Sequence, residues 1–212
     1  MFDPSTLIVF IAAAGALLIV PGPAVLYIVT RSIDQGRRAG IASVLGISVG
    51  TLFHVFAAAL GLSAILMSSA LAFDLVKYLG AAYLIYLGVR KLFSKEEEFL
   101  PQSVQKQRLS RIFRQGIIVN LLNPKVALFF LAFLPQFVNP THGSVPLQML
   151  LLGMILVTMG LFSDSMYALL AGTAGNWLKT NRQFLRAQKY VTGTIYIGLG
   201  LTAALAGAHR SQ

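Results

Sequence analysis

Residues 17–31 read LLIVPGPAVLYIVTR, an apolar run broken in its middle by Pro21-Gly22-Pro23 and closed by Arg31. A second such stretch, NLLNPKVALFF over residues 120–130, is broken by Asn123-Pro124-Lys125. Each break lies inside a segment that is otherwise apolar enough to cross a bilayer. Hydrocarbon cannot satisfy unpaired backbone groups, so irregular backbone at depth normally lines a cavity or a ligand site. For a lone proline, a packing kink is the plainer reading. Two multi-residue breaks, one of them carrying a lysine, favour a transport site.

The rest of the chain agrees with a membrane setting. Of 212 residues, 56% are hydrophobic and 11% charged, and residues 7–30, 41–73 and 190–208 carry no charged side chain. A span of lipid needs about 20 predominantly apolar residues, and so short a chain cannot hide that many apolar helices in a soluble core. An all-α membrane protein is expected, with six spans at about 6–30, 41–66, 72–93, 114–137, 147–175 and 190–208. The N-terminus lacks the basic start of a signal peptide and its apolar run is too long for one, so it is expected to remain as the first span.

The net charge of +10 does not mark a nucleic-acid binder. Fourteen of the seventeen Lys and Arg fall in three clusters between spans: Arg31 to Arg38, Arg90 to Arg114, and Lys179 to Lys189. The alternate loops, 68–74 and 139–146, have none, which is the positive-inside pattern. Basic loops inside place both termini outside, and those loops are suited to anionic lipid headgroups. The absence of cysteine excludes disulfides and thiol chemistry.

Three spans per half imply two repeats, 1–93 and 114–212, joined by a polar cytoplasmic linker at 94–113. An odd number of spans makes the repeats inverted, with the first helix of each, helices 1 and 4 of the chain, broken. Gly50-Thr51-Leu52-Phe53-His54 in the first half resembles Gly160-Leu161-Phe162-Ser163-Asp164 in the second. Chance likeness between apolar helices is the competing account.

The breaks carry specific chemistry. Proline removes a donor and displaces the carbonyl four residues back, so Pro21 and Pro23 free the carbonyls of Leu17 and Ile19, and Pro124 frees that of Asn120. Downstream, half-helices starting near Ala24 and Val126 present amide donors and a positive dipole end. Acceptors on one side and donors on the other match a zwitterionic amino acid. Pro23 to Arg31 and Gln115 to Asn123 are each eight residues, which puts both breaks ~12 Å from the basic edge, near the midplane.

Lys125 and Asp164 are the ionisable residues deepest in the membrane, where charge is costly and faces a cavity or a partner. Lys125 suits a substrate carboxylate, and Asp164 suits an ammonium or a proton; a purely structural Lys125–Asp164 ion pair is the alternative. His54 occupies the matching place in the first half, as a titrating group or as a packed, hydrogen-bonded one. Asn120 and Asn123 bond the substrate or merely satisfy the broken backbone. The candidate binding residues are thus Pro21, Gly22, Pro23, Asn120, Asn123, Pro124 and Lys125, with Asp164 and His54 for the ammonium or a proton. Gly46-x-x-x-Gly50, with Gly153, Gly160 and Gly172, is expected to let helices approach closely. No phosphate-binding glycine loop, metal cluster or nucleophile constellation is present, so neither an enzyme nor a cofactor is expected.

At Pro21-Gly22-Pro23, Gln35-Gly36-Arg37-Arg38-Ala39-Gly40, Tyr78-Leu79-Gly80-Ala81-Ala82-Tyr83-Leu84 and Asn120-Leu121-Leu122-Asn123-Pro124-Lys125, the chain resembles the lysine-exporter (LysE/RhtB) family of bacterial amino-acid exporters. The resemblance runs over essentially the whole length. It implies an inner-membrane protein that exports amino acids or close derivatives, driven by the proton gradient. The paired motifs name the class and leave the cargo open. A channel or cation-efflux protein of similar fold is the alternative, though cation selectivity favours more acidic or carbonyl rings than Asp164 alone provides. A non-transporting scaffold is a third reading. Glycine-rich helix faces permit a homodimer.

Overall fold

A computed structural model of the chain describes residues 2–68, 70–93, 106–180, 190, 193–195, 197–201 and 204. The described residues fold into helices and contain no strand. In chain order these are α1 (Pro4–Ile19), α2 (Pro23–Gln35), α3 (Arg37–Ala57), α4 (Ser63–Ser68), α5 (Ala70–Phe93), α6 (Leu109–Leu121), α7 (Pro124–Leu128) and α8 (Val145–Thr180). A wide π turn, Ala58–Leu62, joins α3 to α4, and another, Phe129–Phe133, extends α7 into a tight 3-10 turn at Leu134–Phe137.

Both expected breaks are present and are nearly equal. The axis turns by 50° between α1 and α2 and by 46° between α6 and the segment Pro124–Phe137. Two further stretches, 37–65 and 145–171, are continuous helices long and apolar enough to cross a bilayer. The expected third span falls on α5, a continuous helix of 24 residues. Of the expected sixth span, about 190–208, ten residues are described and all ten are helical, while the basic cluster from Arg182 to Lys189 lies outside the described residues.

Element ends differ from the sequence-based boundaries in one direction: the helices run on past the apolar stretch. α2 continues to Gln35, α6 begins at Leu109 inside the expected linker, and α8 reaches Thr180. Polar residues form helix readily once clear of lipid, so hydropathy marks the membrane thickness and not the helix end. Gly36 alone separates α2 from α3, with φ of 81°, a conformation glycine adopts without strain.

α3 packs against α6, α8 and α2 and forms the centre of the bundle. Its contact with α6 needs glycine: a Cβ on Gly46 would lie 2.2 Å from the Phe113 carbonyl, and one on Gly50 would lie 2.8 Å from Asn120 Cβ. Gly153 likewise meets Val55, whereas a Cβ on Gly160 would have no closer neighbour than Leu18 at 3.7 Å. The main apolar cluster joins Phe10 of α1 to Phe129 and Phe133 beyond the second break, with Phe10 edge-on to Phe137 at 5.2 Å between ring centres.

Candidate functional site

The first break ends α1 and restarts at α2 with Gly22 in the capping position, where no side chain caps the amides. Leu26 N–H reaches back to the Gly22 carbonyl, so the new helix begins cleanly behind the prolines. The second break is capped: Asn123 Oδ1 accepts the Lys125 amide at 3.1 Å, in the usual manner of asparagine at a helix start.

The two breaks meet. Lys125 is buried and donates its Nζ hydrogen bond to the Val20 carbonyl, the last residue before Pro21. Among the described residues it makes no ion pair. Asp164, also buried, projects from α8, and together with Gly22, Asn120, Asn123 and Lys125 it lines a cavity of about 50 Å³. Ala24, Val25, Ser48, Thr51, Leu156 and Gly160 complete much of the wall. Such a volume holds a few waters and is too small for an amino acid.

Most of the freed carbonyls are already taken. The Val20 amide folds back on the Leu17 carbonyl at 3.3 Å. Tyr167 Oη donates to the Ile19 carbonyl at 2.8 Å. The Asn120 carbonyl accepts from the Asn123 amide at 3.0 Å and from His54 Nε2 at 3.1 Å. A carbonyl only accepts, so Nε2 of His54 carries the hydrogen. His54 also stacks on Phe130, with ring centres 5.9 Å apart.

Of the candidate residues, Gly22, Asn120, Asn123, Lys125 and Asp164 are brought together at the cavity. Pro21, Pro23 and Pro124 shape the backbone and stay off the wall, and His54 serves the back of the second break. Asn120 is fully buried; its Nδ2 donates to Thr51 Oγ1 at 2.9 Å and to the Ile47 carbonyl at 3.1 Å. Both asparagines thus satisfy backbone or neighbours while also facing the cavity.

Several residues escaped the sequence reading. Ser48 and Thr51 sit on the α3 face opposite Asn120, and their hydroxyls donate to carbonyls four residues back. Arg31, read above as a loop cation, is buried between α2 and α6. Its Nη2 donates to Gln115 Oε1 at 3.0 Å and its Nη1 to Gln35 Oε1 at 3.4 Å. The guanidinium lies 5.4 Å from the centre of the Tyr27 ring. A usable signal existed: Tyr27, Arg31 and Gln35 recur at intervals of four, hence on one helix face.

A family model described as "LysE type translocator" matches residues 15–207. An "uncharacterized membrane protein YrhP" of Bacillus subtilis (strain 168) is 32% identical over 209 residues, covering 94% of this chain and 99% of the relative. A "homoserine/homoserine lactone efflux protein" of Salmonella typhimurium is 32% identical over 197 residues, covering 93% and 95% respectively. An "uncharacterized membrane protein" of Vibrio cholerae is 30% identical over 201 residues, covering 94% and 96%. No solved structure matches.

Proposed function

The chain belongs to the LysE type translocator family, and on that premise we propose that it is a secondary exporter of amino acids or close derivatives across the bacterial inner membrane. One observation carries the site: the cation of the second break and the acid of α8 line one cavity with the first break. A zwitterion brings one negative and one positive group, and Lys125 and Asp164 offer the complementary pair. The uncapped start of α2 adds amide donors at Ala24 and Val25 beside the cavity, favourable to a carboxylate.

In this reading the cavity widens to admit the substrate, whose carboxylate takes the Lys125 ammonium from the Val20 carbonyl and whose ammonium faces Asp164. Neutral side chains of modest size suit a wall that otherwise offers Leu17, Leu156 and Val157. The Salmonella relative named for homoserine supports that class. Asp164 also serves as the proton carrier when no substrate ammonium is present. Alternating access follows from rocking of two bent, inverted three-helix halves about α3 and α6.

The expected orientation, with both termini periplasmic, draws support from Gln35 and Gln107. Two hydrogen bonds of 2.9 and 3.0 Å tie them together, which brings Arg37, Arg38, Lys106 and Arg108 to one end of the bundle.

The test is uptake into inverted vesicles, with and without a pH gradient, competed by an amino-acid panel. Saturable uptake of small neutral amino acids, lost in Lys125→Ala and in Asp164→Asn, is expected. Unchanged uptake in both variants would sink the site. Conductance in a planar bilayer without saturable flux would instead favour a channel.

A further inference from the structure

Among the described residues, the charged groups Arg31 and Asp34 at the end of α2 make no ion pair. Arg31 is 6% exposed, and a guanidinium is always ionised. Within a membrane protein a buried cation is normally paired, yet among the described residues Arg31 meets the neutral oxygens of Gln115 and Gln35 and the face of Tyr27. Two of its five N–H donors are thereby used.

Asp34 lies three positions along the same helix, on an adjoining face. Its Oδ2 is buried with no hydrogen-bond partner. Among the described residues, three buried side-chain oxygens lack a partner: Ser32 Oγ, Asp34 Oδ2 and Gln107 Oε1. All belong to this end of α2 or to the segment that Gln35 ties to it. Ser32 Oγ abuts α3 at Gly40, Asp34 follows Arg31 by three positions on α2, and the Gln107 backbone is bonded to Gln35, itself a partner of Arg31. Unsatisfied buried polar atoms are scarce in folded proteins, and their concentration at one place calls for a ligand.

We propose that Arg31 and Asp34 form an outer station for the amino acid on the cytoplasmic side of the cavity, Arg31 taking the carboxylate and Asp34 the ammonium. The proposal rests on the exporter reading above. Arg31 stands eight residues, ~12 Å along the helix, from Pro23, at the end of α2 away from the first break and the Lys125 cavity. Gln115 holds the guanidinium until the stronger, charged acceptor arrives. Tyr27 Oη, bonded to the Ile112 carbonyl at 2.8 Å and to Gln115 Oε1 at 3.3 Å, fixes Gln115 in that pose.

The experiment measures uptake of homoserine into inverted vesicles over a range of concentrations. Arg31→Gln and Asp34→Asn are each expected to raise the half-saturating concentration about tenfold, the loss of one charge-assisted bond, with maximal flux retained. Arg31→Lys should fall between, and serves if Arg31→Gln does not fold. Gln115→Glu, which gives Arg31 a permanent carboxylate, should also raise half-saturation, because the substrate must then displace a charged rival. Unchanged half-saturation in these variants, while Lys125→Ala still abolishes flux, overturns the outer station alone. A fall in maximal flux with half-saturation unchanged marks a structural latch and overturns it too. If Lys125→Ala also has no effect, the inner site has failed as well.

Discussion

Lys125 donates to the Val20 carbonyl, so the cation of the second break is held by the backbone of the first, 105 positions away in sequence. Neither break is complete alone. The first supplies a helix start without a cap and a carbonyl with no amide to receive; the second supplies the charge that fills the vacancy.

His54 follows from the same logic. Its Nε2 hydrogen bond to the Asn120 carbonyl replaces the donor that Pro124 removed. His54→Gln, which retains a donor, should leave the pH profile of uptake unchanged and cost about 1 kcal/mol of stability. A shifted pH profile in that variant, with uptake otherwise intact, would return His54 to the role of proton carrier.

Asn120 is the polar keystone between the halves. Asn120→Leu removes the Nδ2 bonds to Thr51 Oγ1 and the Ile47 carbonyl and the acceptor for Asn123 Nδ2. The groups left unpaired and buried should lower stability by ~2–3 kcal/mol, read as a drop in Tm in detergent. Retained Tm would mean that water enters and satisfies them.

Two glycines make opposite predictions. Gly46→Ala puts a methyl 2.2 Å from the Phe113 carbonyl, so α3 and α6 must part, at a cost of ~1–3 kcal/mol. Gly160→Ala meets nothing closer than 3.7 Å and should fold normally. Since Gly160 borders the cavity, that variant should change uptake of larger amino acids more than of smaller ones. Competition curves and Tm, measured side by side, separate the two effects.

The breaks were legible because proline chemistry is local. The positions of the prolines identify Leu17, Ile19 and Asn120 as the residues whose carbonyls come free, and their new partners include Tyr167 and His54. Those partners were not legible, since each is fixed by how distant helices pack. By sequence Arg31 groups with the loop cations, because hydropathy changes there. In fact α2 runs on for four more residues and its face turns the side chain inward toward Gln115. The eight-residue spacing used to estimate depth is nonetheless visible in space: Arg31 and Gln115, each eight residues from its own break, touch at 3.0 Å.

Gly36 is the whole connection between α2 and α3. A one-residue joint has no slack, so a tilt of α2 is transmitted to α3 as by a crank. α3 carries Thr51 and His54, which grip Asn120 at the second break. Any movement that uncovers the cavity at the first break therefore pulls on the second, and the two cannot keep separate time.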